Sequence, residues 1–398
     1  MRWQLQSFGP RFAQGIVVLI VLTPWLASRA QIASGRQQNQ TSPSVAQEAA
    51  TTSQPEAEQE LRQGTALTRQ GAFSEAIPYL LAARGRVANE YAASFNLALC
   101  YLGTGQFKPA MDLLNLLRTS GHDSVDVENL LAQAYVGNSQ PQEALAALQK
   151  AAAFSPQNEK LFAFIADACT DHRQFRLGLR VVALGLHNLP QSARLHYERA
   201  MFLSQLDSID QAKQDFELAA KLAPGSEIGV LSSAHEHLLT GDIADTIRIA
   251  REGIKKGFEN PALLTILSEG LIRSGASPGQ PDFAEAQALL ENAVSRQPND
   301  AASQIALGTM HLAAGQLENA ILHLQKGRQL EPDNPAVYSN LAKAFQRHGD
   351  TPQANDALAT LQKLNQDQAA RINSASGDHK LGYASPNLTR EPAPPENR

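Results

Sequence analysis

Pro156, Pro190, Pro224 and Phe258 stand 34 residues apart, and each closes a stretch of the same helix-turn-helix pattern. A fixed period of this length restricts a chain to a stack of similar two-element units, because one such unit cannot bury its apolar face alone. The period runs back to His122 and Ala88 and, after one interruption, forward through Pro298, Pro332 and Gln366. The 398 residues are therefore expected to form one elongated array instead of two or three globular domains. Ala, Leu, Gln and Glu favour helix, and only 6% of the residues are aromatic, which suits thin helical layers better than a sheet core. An all-α chain is the expectation.

Units are expected to start near residues 57, 91, 125, 159, 193, 227, 261, 301 and 335, filling 57–370. Two helices that cross closely need small residues at the crossing. At the eighth place of successive units stand Gly64, Ala98, Ala132, Ala166, Ala200, Ala234, Ser268, Gly308 and Ala342. The twentieth place holds Ala76, Ala110, Ala144, Gly178, Ala212, Thr246, Ala286, Ala320 and Ala354. Larger apolar residues alternate with them, among them Leu97, Leu131, Ile165 and Tyr101 on first helices and Leu80, Leu114 and Phe216 on second ones. Gly71, Gly105, Gly241, Gly315 and Gly349 mark the turns, where a left-handed helix end suits glycine.

This register of small and large residues resembles the tetratricopeptide repeat family. The resemblance implies a right-handed α-solenoid superhelix of about nine units, with a concave groove lined by the second, fifth, ninth, twelfth and thirteenth places. Carried over residue by residue, the candidate partner-binding groove comprises Phe95, Leu99, Asn129, Gln133, Asp167, Tyr197, Met201 and His235. Leu102, Lys160, Asp171, Arg194, Ile228 and Leu231 fall on the same places. Apolar groups in a groove anchor an extended peptide, and they also pack against neighbouring units; the register leaves both readings open. The family's aromatic at the fourth place is mostly replaced, by Glu60, Ser94, Glu128, His196, Val230 and Gln304, so the helix starts are expected to be less firmly packed. Ser233, His237 and Thr246 weaken the sixth unit, Ser277–Asp282 is expected to form a surface loop between the helices of the seventh, and the array is expected to be two firm segments with a flexible joint near Glu227 to Asp282. The Lys and Asn pattern of carboxylate-clamping members is missing, as is the Asn ladder of glycosyltransferase-linked ones.

The two ends differ from the array. Arg2 and Arg11, the apolar run Gly15–Leu26 and Ser28-Arg29-Ala30 read as a signal peptide over 1–30, cleaved before Gln31; the run is too short and Pro24 too disruptive for a stable membrane span. Residues 31–56 read as a disordered linker and 371–398 as a disordered tail, since both have too few large apolar side chains to offset their ordering entropy. Asn39 and Asn387 begin acceptor patterns for glycosylation. Losing residues 1–30 moves the net charge from -5 to -8, and no basic cluster exceeds Lys255-Lys256, which argues against a nucleic-acid partner.

Cys100 and Cys169, a whole repeat apart, are expected to be buried thiols without a bridge. His235-Glu236-His237 lacks zinc-protease spacing, because residues two apart on a helix point to different faces; no metal and no cofactor is expected. With no nucleophile elbow, phosphate loop or paired-Cys motif, the chain reads as a non-enzymatic scaffold for a protein or peptide partner, exported to the periplasm or secreted. The alternative is an accessory subunit of an envelope polysaccharide or protein-export complex.

Overall fold

A computed structural model of the chain describes residues 45–378, with side chains over 54–367. The described residues contain helices and no strand. The helices are α1 (Val45–Arg69), α2 (Phe73–Ala83), α3 (Glu90–Gly103), α4 (Phe107–Thr119), α5 (Val125–Gly137) and α6 (Pro141–Phe154). They continue with α7 (Glu159–Asp171), α8 (Phe175–Asn188), α9 (Ala193–Gln205), α10 (Ile209–Leu222), α11 (Glu227–Thr240) and α12 (Ile243–Lys255). The last six are α13 (Pro261–Arg273), α14 (Pro281–Arg296), α15 (Ala301–Ala313), α16 (Leu317–Leu330), α17 (Pro335–His348) and α18 (Thr351–Asp378).

Two bodies are distinguished. The first runs to Ala276 and includes Asn292–Asn299; the second comprises Ser277–Glu291 and everything from Asp300. Each is a run of helix-turn-helix pairs of all-α character. The expected signal segment and both glycosylation patterns lie outside the described residues, and among those described no helix is long and apolar enough to cross a membrane.

The crossing positions explain why the pairs form. All eighteen small residues at the eighth and twentieth places are buried. A side chain at Gly64 would place its Cβ 2.6 Å from Leu80, at Gly308 2.7 Å from Leu324, and at Gly178 2.4 Å from the Phe202 ring. Thr246 and Ser268 fit because their hydroxyls donate to the carbonyls of Asp242 and Leu264, at 2.8 and 2.9 Å. A polar residue at such a position keeps its packing only when its hydrogen bond is made internally.

Helix starts and ends are chemically marked. Asn89, Ser124, Ser192, Ser226, Asp242, Asn260, Asp300 and Asn334 each accept a hydrogen bond from a backbone N–H in the first turn they precede. Carbonyls at first-helix ends, which already accept an N–H of their own turn, recruit a second donor from the following pair. Gln174 reaches Val136 at 2.6 Å and Arg273 reaches Leu238 at 3.1 Å in the first body; Arg347 reaches Leu312 at 2.7 Å in the second. These bonds couple neighbouring pairs through the second acceptor position of carbonyls that the N–H groups of Ser139, Gly241 and Gly315 already engage.

Every turn between paired helices is left-handed at the same place. Six positions are glycine, from Gly71 at φ 75° to Gly349 at φ 92°, and Gly275 joins the five read from the sequence. The other three are Ser139, Arg173 and Asp207, at φ 58°, 53° and 58°. An L-residue in this conformation carries roughly 1–2 kcal/mol of strain, against about 0.5–1 kcal/mol of extra unfolded-state entropy for glycine. Ser139→Gly is therefore expected to raise stability by roughly 0.5–1 kcal/mol in urea unfolding. Arg173→Gly should gain less, because the Arg173 guanidinium lies 5.7 Å from the Phe175 ring centroid and that contact would be lost. A fall in the unfolding midpoint of Ser139→Gly would contradict the assignment of strain.

Three sequence expectations need correction. The segment expected to be linker up to residue 56 is helical from Val45, and helix continues into the expected tail as far as Asp378. Both extensions grow out of helices that already pack on a partner, and propagation is cheap once a nucleus exists, so Ala- and Gln-rich flanks continue the helix. The inserted loop is shorter than expected, because Pro281 and Asp282 form the first turn of α14, where proline and an acidic residue are both favoured. The division between the two bodies falls at the head of this insertion, at Ala276/Ser277. In the sixth pair, α11 and α12 are regular despite Ser233 and His237.

Candidate functional site

Phe95, Leu99, Asn129, Gln133 and Tyr197 are all buried, as are Leu102 and Leu231. Asp167, Met201 and His235 keep part of their surface, as do Arg194 and Ile228, while Lys160 and Asp171 are exposed. The burial has a packing cause. A Cβ on Gly103 would stand 2.2 Å from the Phe73 ring, and one on Gly137 2.3 Å from Phe107, so in the first two pairs the aromatic opening the second helix lies across the end of the next first helix. Phe107 also meets His172 edge-on at 5.2 Å. Apolar residues of the first helices are thus largely covered, and the groove candidates that remain accessible are Met201 and Ile228 together with polar residues.

The candidates form two adjoining clusters in the first body. Tyr197 hydrogen-bonds His235 Nδ1 through its hydroxyl at 3.3 Å, and Phe216 stacks on His235 at 5.3 Å with 13° between the planes. Burial there pushes the His235 imidazole down to about 4, so it is neutral at physiological pH. Beside it Arg194 donates to Glu198 at 2.6 Å and reaches Asp167 at 3.4 Å, tying α9 to α7. Tyr91 stacks on Phe95 at 5.4 Å and meets His122 at 5.0 Å, extending the aromatic series to α3.

Beneath these clusters lie polar networks at the fourth place, which correct the expectation of loosely packed helix starts. His196 hydrogen-bonds the Pro190 carbonyl at 3.1 Å and Asp215 at 2.9 Å, while Asp215 takes two donors of Arg199, both at 2.6 Å. In the second body Tyr338 occupies the same place and donates to the Pro332 carbonyl at 2.7 Å. His196 therefore performs the bonding that an aromatic hydroxyl performs elsewhere. Register located His196 but gave no signal for Asp215 or Arg199, which meet it only through tertiary packing.

Glu128, also at the fourth place, is fully buried with Arg118 at 3.5 Å and Lys150 at 3.4 Å. Burial holds its carboxyl above the ordinary range, with Lys150 and Arg118 acting against that shift. Neither Glu128 Oε2 nor Asn129 Oδ1 has a hydrogen-bond partner among the described residues. In the second body His323 bonds Gln304 at 2.8 Å and stacks on His311 at 5.4 Å, and an open groove of about 450 Å³ is lined by Pro278, Pro281, Phe283, Gln287 and Ala314. The thiols behave as expected: burial pushes Cys100 up to about 11 and Cys169 up to about 12, so both are free and unreactive.

Family profiles agree with this architecture. A tetratricopeptide repeat profile matches residues 67–134, a second matches 193–226, and a TPR repeat profile matches 308–349. These three stretches of the chain are tetratricopeptide repeats. No curated protein matches it significantly. Among solved structures, it is similar to the Cut9–Hcn1 hetero-tetramer of the APC/C at 17% identity and TM-score 0.46, over 73% of this chain and 56% of that one. A tetratricopeptide repeat protein of Parabacteroides merdae matches at 18% identity and TM-score 0.46, over 64% of this chain and 98% of its own. The human IFIT1 dimer matches at 13% identity and TM-score 0.40, over 76% and 89%. The chain thus spans little more than half of the first of these.

Proposed function

We propose that the protein is a non-enzymatic scaffold that binds a protein segment along the first-helix face of its first body, over α5 to α11. The observation that carries this reading is a series of partly exposed residues on consecutive first helices, Asp167 on α7, Arg194 and Met201 on α9 and His235 on α11, over a buried apolar layer. Preformed helices keep the ordering cost of binding low. Phe95, Leu99, Gln133 and Tyr197 act here as support for the surface.

Export is part of this proposal, resting on Arg2, Arg11, the apolar run Gly15–Leu26 and Ser28-Arg29-Ala30. A mature chain starting at Gln31 by mass spectrometry is the expected result, and one starting at Met1 would remove it. For the binding face, Met201→Glu, which puts a charge at a partly exposed apolar position, is expected to lose the partners recovered by the wild type from its host, with its melting unchanged. Leu116→Glu with Leu218→Glu, on exposed second-helix positions, should retain them. The reverse pattern would move the binding surface to the second helices.

A further inference from the structure

We propose that His237, Asp242 and Asp245 form a site for one divalent transition-metal ion of the zinc class. One donor atom from each of the three lies within 4.8 Å of the other two. The sequence separates His237 from these carboxylates by the end of a helix, and Gly241, at φ 82°, turns the chain so that the last turn of α11 meets the first of α12. The pair His235 and His237, two residues apart, does not converge; the donors that join His237 come from the next helix.

Each donor is held from its outer side. Asp242 Oδ1 accepts the Asp245 N–H at 3.3 Å, while Oδ2 stands 3.5 Å from His237 Nδ1. Arg248 places Nε and Nη2 on the same oxygen of Asp245, Oδ1, at 2.7 and 2.6 Å. Glu236 lies 3.6 Å from His237 Nε2, across the ring from the proposed ion. Outer groups placed in this way fix ligand orientation in metal sites. Helix capping and the Arg248 pair engage Oδ1 of each carboxylate and leave Asp242 Oδ2 facing His237 Nδ1. An imidazole with two carboxylates suits zinc and its neighbours, whereas calcium and magnesium favour all-oxygen shells. Three protein donors leave a coordination position for water.

The test uses the full chain, stripped of metal and titrated with Zn²⁺ against a chromophoric chelator. The wild type is expected to hold one ion more than His237→Gln, and Asp245→Asn to bind that ion at least about tenfold more weakly. Co²⁺ in the same site should give visible absorption bands that both variants lose. His187→Gln, on the exposed side of α8, should retain ion and bands. Asp245→Asn keeps the shape of the side chain, so loss of binding with an unchanged circular dichroism spectrum separates ligation from folding. Wild-type binding by either His237→Gln or Asp245→Asn overturns the proposal.

Discussion

Phe202→Ala is expected to destabilise the first body by about 3–5 kcal/mol in urea unfolding. The ring is 1% exposed and occupies the space that a Cβ on Gly178 would need, so truncation leaves a void between α8 and α9 that neither backbone can close. In a stack of repeats each pair is stabilised by its neighbours, so the loss should extend beyond one pair. Amides of α8, α9 and α10 should exchange faster than those of α3 and α4. Phe154→Ala is the control, because that ring is 54% exposed and its removal should shift stability by no more than roughly 0.5 kcal/mol. Equal unfolding midpoints for the two variants would show that the α8–α9 crossing is not the tight contact described.

Asp215→Ala is expected to cost about 2–4 kcal/mol. Removing one partner of a buried ion pair costs roughly 3–5 kcal/mol, and the lower range applies because the Arg199 side chain is 35% exposed and water screens it once freed. His196 suffers most, since its ring is buried and would keep only the Pro190 carbonyl. Combining Asp215→Leu with Arg199→Met should recover only part of the loss, because it removes the unpaired guanidinium but leaves the buried His196 Nδ1 without its partner. If Asp215→Ala unfolds with the wild type, the network contributes nothing to the first body and its residues are bystanders of packing.

The legibility of this protein divides along the range of the interactions. Ala98 and Ala110, or Ala200 and Ala212, stand out because a close helix crossing must be met within one repeat and again in the next, so the same small residues recur at the same interval. Turns at Gly71 and Gly241 follow from backbone conformation alone, but Ser139, Arg173 and Asp207 escaped the reading because their strain is imposed by the packed helices on either side. Helix lengths at the two ends were also misjudged, since composition alone does not reveal that a packed neighbour has already nucleated the helix. Of the candidate surface, Asp167, Met201 and His235 are accessible in part, whereas Phe95, Leu99 and Tyr197 are buried, Tyr197 against Phe216 of the following helix.

By itself the sequence determined the all-α class, the 34-residue register and the positions where helices touch, because each depends on contacts repeated between residues a fixed distance apart. The tertiary structure alone decided which polar groups are buried in company and which accessible. Asp215 beside His196, Lys150 beside Glu128 and Asp242 beside His237 are neighbours only after two helices have docked. A period constrains where a side chain sits on its own helix; the charge, aromatic ring or donor that faces it comes from another helix, whose residue at that place the period leaves free.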